Sequence, residues 1–201
     1  MLYPFGNLVT YWLVHLLFRM RYEGLENIPP DRGFILASNH RSNFDPLFIA
    51  HKLRSAVCYM AKAELFQNGF IGWILRNVNA FPVARGTGDT SALDAAREII
   101  RSGRVLGMFP EGHRSKDGKP LRVRSGVALI AAQTGADVLP CAVYYVGRLH
   151  FRAQVTVRYG KLIPSAELEA QAESPASIRA ASKRIMEDII ALLEVEQCRL
   201  R

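Results

Sequence analysis

The strongest constraint on the fold is an alternation of short apolar runs with stretches of helical periodicity. The runs, rich in β-branched, aromatic and aliphatic residues, are Phe34–Ser38, Val57–Ala61, Val105–Phe109, Val138–Tyr145 and Val155–Tyr159. Between them lie helix candidates at 46–53, 64–76, 90–102 and 125–134. Strands that take turns with helices predict an α/β fold, with a mixed, largely parallel sheet flanked by helices. Leu93, Ala96 and Ile100 form one stripe with Gly103 as a stop behind them, so 90–102 reads as scaffold. Ser174-Pro175 opens a last helix that carries Ile178, Ile185, Ile189 and Leu192 on one face.

With 201 residues the chain is long enough for one domain with a sizeable core and too short for two ordinary ones. Nearly half the residues are hydrophobic and 22% are charged, which argues against extended disorder. The charge balance is less ordinary. The excess of Lys and Arg gives a net charge of +8, which favours an anionic partner such as a membrane, a phosphorylated substrate or nucleic acid. The basic residues are scattered and carry no recognised nucleic-acid motif, so nucleic acid is the weakest of the three. Cys58, Cys141 and Cys198 are far apart and have no metal-ligand spacing, which points to a reducing, cytosolic-side setting with no metal.

No segment reaches the roughly 20 apolar residues of a spanning helix. The nearest, Leu2 to Met20, is interrupted by Asn7, His15 and Arg19 and lacks the features of a signal peptide. It fits an interfacial helix with Arg19 and Arg21 meeting anionic head groups, and it fits a helix packed on its own domain.

Chemistry concentrates in two polar stretches, each directly after an apolar strand. In Ser38-Asn-His-Arg-Ser-Asn-Phe-Asp-Pro46, His40 and Asp45 stand five apart and would diverge by roughly 140° on a continuous helix. A turn through Asn39–Asn43 brings them together, and Asp45 can then fix the tautomer of His40 as general base. The same spacing fits a helix cap beside an unrelated loop histidine. In Met108-Phe-Pro-Glu-Gly-His-Arg-Ser115, Arg114 offers planar donors for phosphate and Gly112 allows close backbone approach, while Glu111 can orient that Arg or accept from a hydroxyl. A solvated surface turn is the other reading of this stretch. Phe81-Pro-Val-Ala-Arg85 adds a third cation, and Arg122 and Arg124 precede a helical run.

Asn39-His40-(x)4-Asp45, Phe81-Pro-Val-x-Arg85, Phe109-Pro-Glu-Gly-x-Arg-Ser115 and Val138-Leu-Pro140 resemble, in order and approximate spacing, the four motifs of the PlsC-type 1-acyl-sn-glycerol-3-phosphate acyltransferases. The resemblance runs from about Tyr22 to Tyr159 and includes Lys62-x-Glu-Leu-Phe66. With residues 1–21 read as an N-terminal membrane-associating helix, it places a glycerolipid acyltransferase domain over 22–201. It also implies His40 and Asp45 as the catalytic pair, with Arg85, Glu111, Gly112 and Arg114 on the acceptor, and Pro140 in a structural role.

The implied reaction moves an acyl group from acyl-CoA or acyl carrier protein to the sn-2 hydroxyl of 1-acyl-glycerol-3-phosphate, giving phosphatidic acid. No cofactor or metal takes part, and the implied location is the cytoplasmic face of a membrane, peripheral or monotopic. His113 stands where the family usually has Thr, which opens the acceptor to alternatives such as lyso-ornithine lipid or glycerol-3-phosphate. A non-catalytic basic membrane-binding module is the rival from another class.

Overall fold

The computed structural model describes residues 3–69, 72, 79–83 and 90–199. In chain order the helices and strands are α1 (Tyr3–Leu17), β1 (Arg19–Glu23), β2 (Ile35–Ser38), α2 (Asp45–Ala50), β3 (Val57–Lys62), β4 (Ala80–Val83) and α3 (Thr90–Arg101). There follow β5 (Val105–Met108), α4 (Gly126–Thr134), β6 (Val138–Tyr144), β7 (Gln154–Tyr159) and α5 (Pro175–Arg199). Seven strands form one sheet in the order β1-β7-β6-β2-β5-β3-β4. Every neighbouring pair is parallel except β6 with β7, so the expected mixed, largely parallel sheet is observed.

Period-two side-chain alternation divides the core between the two faces of the sheet. In β2, Leu36 packs with Val14 of α1, Phe18 just beyond that helix and Phe48 of α2. Its neighbours Ile35 and Ala37 face the other way, against Ala96 of α3, Val127 of α4 and Ile185 of α5. Central strands that are buried on both faces read as continuous apolar runs, which is why they stand out in the sequence.

The N-terminal expectation needs a correction. Helix α1 stops at Leu17, and residues 19–23 form an edge strand, so a boundary at 21/22 would cut through β1. Arg19-Met-Arg-Tyr-Glu23 alternates polar and apolar residues, with Arg19 and Arg21 exposed and Met20 and Tyr22 packed on the core. It pairs in parallel with β7, and this long-range pairing overrides any local preference. No helix among the described residues is long and apolar enough to cross a membrane. Of the helix expected over 64–76, a 3-10 turn at Ala63–Phe66 is present, and most of the remainder lies outside the described residues.

Candidate active site

Strands β2, β3, β4, β5 and β6 run in the same direction, so the loops after their C-terminal ends share one edge of the sheet. Open α/β sheets build their sites at that edge. The chain leaves β2 at Ser38, turns, and enters α2 at Asp45. Asn39 pins the start of this turn to β6, donating to Val143 O (3.0 Å) and accepting from Val143 N (2.8 Å).

The turn brings His40 and Asp45 together. The Asp45 side chain is fully buried, and its Oδ2 accepts from His40 Nδ1 (2.9 Å), Arg41 N (2.6 Å) and Ser42 N (2.7 Å). Because the partner is a carboxylate, Nδ1 carries the proton and Nε2 is left with a free lone pair. The imidazole is 17% exposed, enough to meet a ligand, and lies flat on Phe109 with ring centroids 3.9 Å apart and planes at 15°. Tyr59 stacks in parallel beyond Phe109, with centroids 6.3 Å apart, and its hydroxyl donates to Pro46 O at 2.6 Å. On the neighbouring strand β5 carries Gly107 opposite Tyr59, where a Cβ would stand 2.3 Å from the Tyr59 ring. Glycine is what lets β5 lie this close to that ring.

The loop after β5 is stitched to the loop after β2. Ser115 N donates to His40 O (2.8 Å), and Arg114 Nη1 donates to Asn43 Oδ1 (2.7 Å). Glu111 is 1% exposed, with Oε1 accepting from His40 N (3.0 Å) and Oε2 from Leu121 N (2.8 Å). Both carboxylate oxygens of Glu111 are therefore engaged by backbone amides. Gly112 turns the chain at φ 75°, and a Cβ there would fall 2.7 Å from Arg124 Cδ.

Arg114 is exposed and retains donors beyond the one held by Asn43. His113 is exposed too, and Arg124 Nη2 lies 3.5 Å from its Nδ1. Arg85 lies outside the described residues, two positions beyond the end of β4.

Sequence reasoning gave no role to Arg41, Phe109, Tyr59 or Tyr145. Arg41 donates to Tyr145 O (2.7 Å) and Gly147 O (3.2 Å), and its guanidinium sits 4.0 Å from the centre of the Tyr145 ring. Burial first, then the Asp45 charge, pushes the Tyr145 phenol up to about 12, while Arg41 works the other way. The adjacency His40-Arg41 was the available signal, but nothing in the sequence brings residue 145 to residue 41. Among the described residues no cluster of His, Cys, Asp or Glu could hold a metal ion.

The geometry is that of an oriented, partly exposed imidazole and an exposed guanidinium on two stitched loops at the C-terminal edge of an α/β sheet. The Acyltransferase family model matches residues 19–144. A 1-acyl-sn-glycerol-3-phosphate acyltransferase of Bacillus subtilis (strain 168) is 36% identical over 118 residues, which cover 58% of this chain and 58% of the relative. A protein of the same name from Streptococcus pneumoniae is 31% identical over 156 residues, 74% of this chain and 57% of the relative. The crystal structure of PlsC, the 1-acyl-sn-glycerophosphate (LPA) acyltransferase from Thermotoga maritima, superposes with a TM-score of 0.72 at 28% identity, covering 100% of this chain and 79% of that one.

The chain belongs to the PlsC-type acyltransferase family. It spans a little under three-fifths of the length of the first two of these curated relatives.

Proposed function

We propose that the protein transfers a fatty acyl group from a thioester, acyl-CoA or acyl carrier protein, to the sn-2 hydroxyl of 1-acyl-glycerol-3-phosphate, giving phosphatidic acid. The observation that carries this reading is the His40–Asp45 pair, with the proton of Nδ1 held by a buried carboxylate and Nε2 left as the base. Nε2 takes the proton of the acceptor hydroxyl as its oxygen attacks the thioester carbonyl. The new C–O bond forms, the C–S bond breaks, and the departing thiolate takes the proton from the imidazolium. No side-chain nucleophile, cofactor or metal is needed.

Asp45 stabilises the imidazolium, as in other carboxylate–histidine pairs. Arg114, and Arg85 two positions beyond β4 in the sequence, supply the charge for the acceptor phosphate. Glu111 acts behind them by fixing the amide of His40, and so the position of the base. Gly112 allows the turn that presents Arg114. His113 at the same mouth makes the head group the least constrained feature, and a lyso-amino-lipid such as lyso-ornithine lipid is the next acceptor to try. Residues of α1, with Trp12 67% exposed, hold the protein at an anionic membrane surface. Buried free Cys58 and Cys141 fit the reducing, cytoplasmic side of that membrane.

Free-thiol release from palmitoyl-CoA and from palmitoyl carrier protein, with lysophosphatidic acid as acceptor, tests the reaction. His40→Ala is expected to lower acceptor-dependent turnover by about 10²–10⁴-fold with folding intact. Turnover close to that of the parent would remove His40 from the mechanism. Release that is strong only with a lyso-amino-lipid would reassign the acceptor.

A further inference from the structure

Most of the large exposed hydrophobics of the described residues gather in two segments: Trp12, Leu13 and Leu16 on α1, and Val146 and Phe151 on the loop between β6 and β7. The segments are tied together. Arg152 N donates to Leu17 O (2.6 Å), its Nη1 donates to His15 O (3.2 Å), and Arg19 N donates to Ala153 O (2.9 Å). The loop leaves β6 at the same sheet edge as the loops that carry His40 and Glu111.

The same loop closes one wall of an open recess of about 160 Å³, lined by Arg41, Ser42, Lys116, Tyr145 and Arg148 among others. Lys116 and Arg148 are exposed, and neither forms an ion pair among the described residues. Arg41 is held in place by two backbone carbonyls and the Tyr145 ring. Ser42 Oγ accepts from Phe44 N at 3.1 Å, so its own proton is available. Asp117, next in sequence to Lys116, has its Oδ1 engaged by Ser115 Oγ and Lys119 N and forms no ion pair with Lys116 or Arg148.

We propose that the β6–β7 loop is a second membrane-docking element: Phe151 and Val146 enter an anionic bilayer beside α1, and the Arg41–Lys116–Arg148 recess seats a lipid phosphate. Apolar side chains flanked by uncompensated cations match the interfacial layer of such a bilayer. The location also has a use, because it sets the sheet edge that carries His40 against the phase in which acyl chains reside. The proposal deepens the membrane association given above and is independent of the acyl-transfer chemistry, since vesicle binding is read without turnover.

The test is co-sedimentation of the full chain with phosphatidylcholine vesicles, with and without an equal part of phosphatidylglycerol. The variants are Phe151→Ser and the pair Lys116→Ala/Arg148→Ala, with thermal unfolding as a folding control. Phe151→Ser is expected to weaken partitioning into both vesicle types by about tenfold or more. The cation pair is expected to lose about 25-fold on the phosphatidylglycerol vesicles, about fivefold per charge, and much less on phosphatidylcholine alone, whose choline compensates the phosphate. The loss in the cation pair, and not that in Phe151→Ser, should shrink in high salt.

Parent-like binding by both variants would overturn the proposal. So would a homodimer in sedimentation equilibrium that Phe151→Ser dissociates, since a second copy would then be the occupant of the patch. Thiol release with a water-soluble short-chain acceptor, expected to be unchanged in Phe151→Ser, keeps a failure of docking distinct from a failure of the chemistry.

Discussion

Asp45 Oδ2 receives three donors while Oδ1 is buried without a hydrogen-bond partner, so one oxygen holds both the turn and the His40 imidazole. Asp45→Asn is expected to keep one oxygen for the turn amides, yet to lower kcat about 10²–10⁴-fold, because an amide does not stabilise the imidazolium. Steady-state kinetics with an unfolding curve will separate the two effects. Glu111 makes a sharper case. If its carboxylate works by holding the amides of His40 and Leu121, Glu111→Gln turns an NH2 group toward one of them and costs about 1–3 kcal/mol of stability. The kinetic signature is then a lower kcat with the acceptor KM little changed, whereas a rise in KM alone would identify Glu111 as an acceptor contact.

At the scale of elements, the close passage of β5 beside the Tyr59 ring depends on a missing side chain. Gly107→Ala places a methyl group 2.3 Å from the Tyr59 ring and is expected to cost about 1–3 kcal/mol in denaturant unfolding. The junction of α1, β1 and α2 carries a different liability. Both ring nitrogens of His51 are buried without partners, and burial, followed by the charges of His15 and Lys52, lowers its pKa to about 4. Tyr11 also packs against this ring. The folded pKa lies below the ordinary value of 6.5, so the chain favours neutral His51. The stability it contributes is intact above pH 6.5 and is lost as pH falls through the window from 6.5 to 4. The residue is only half-buried, and the loss is at most roughly 3 kcal/mol. His51→Phe should flatten the dependence of Tm on pH across that window.

For the whole molecule, the question is whether α1 is an appendage or part of the domain. Val14 and Phe18 are buried in the same core as Leu36, and β1 extends the sheet. Removal of residues 1–18 is therefore expected to cost roughly 3–5 kcal/mol of stability in addition to any loss of membrane affinity. A truncated chain with an unchanged urea midpoint would show α1 to be dispensable to the fold. The exposed apolar residues Trp12, Leu13 and Leu16 share this short helix with the core residue Val14. One helix therefore serves both readings that the sequence left open for it, as part of the domain and, in the proposal, as a lipid contact.

The sequence by itself determined the α/β class, the central strands β2, β5 and β6, and the placement of His40, Asp45, Glu111 and Arg114 at strand ends. These features are local, because strands buried on both faces are continuous apolar runs and a motif is a fixed spacing along the chain. Only the tertiary structure decided that Arg19–Glu23 is a strand, since its partner β7 lies more than 130 residues away. It also engaged both oxygens of Glu111 with backbone amides, laid His40 on Phe109, and brought the β6–β7 loop against α1. Each of these depends on which strands become neighbours, and that order is set by packing two faces of one sheet at once, a property that no single window of sequence contains.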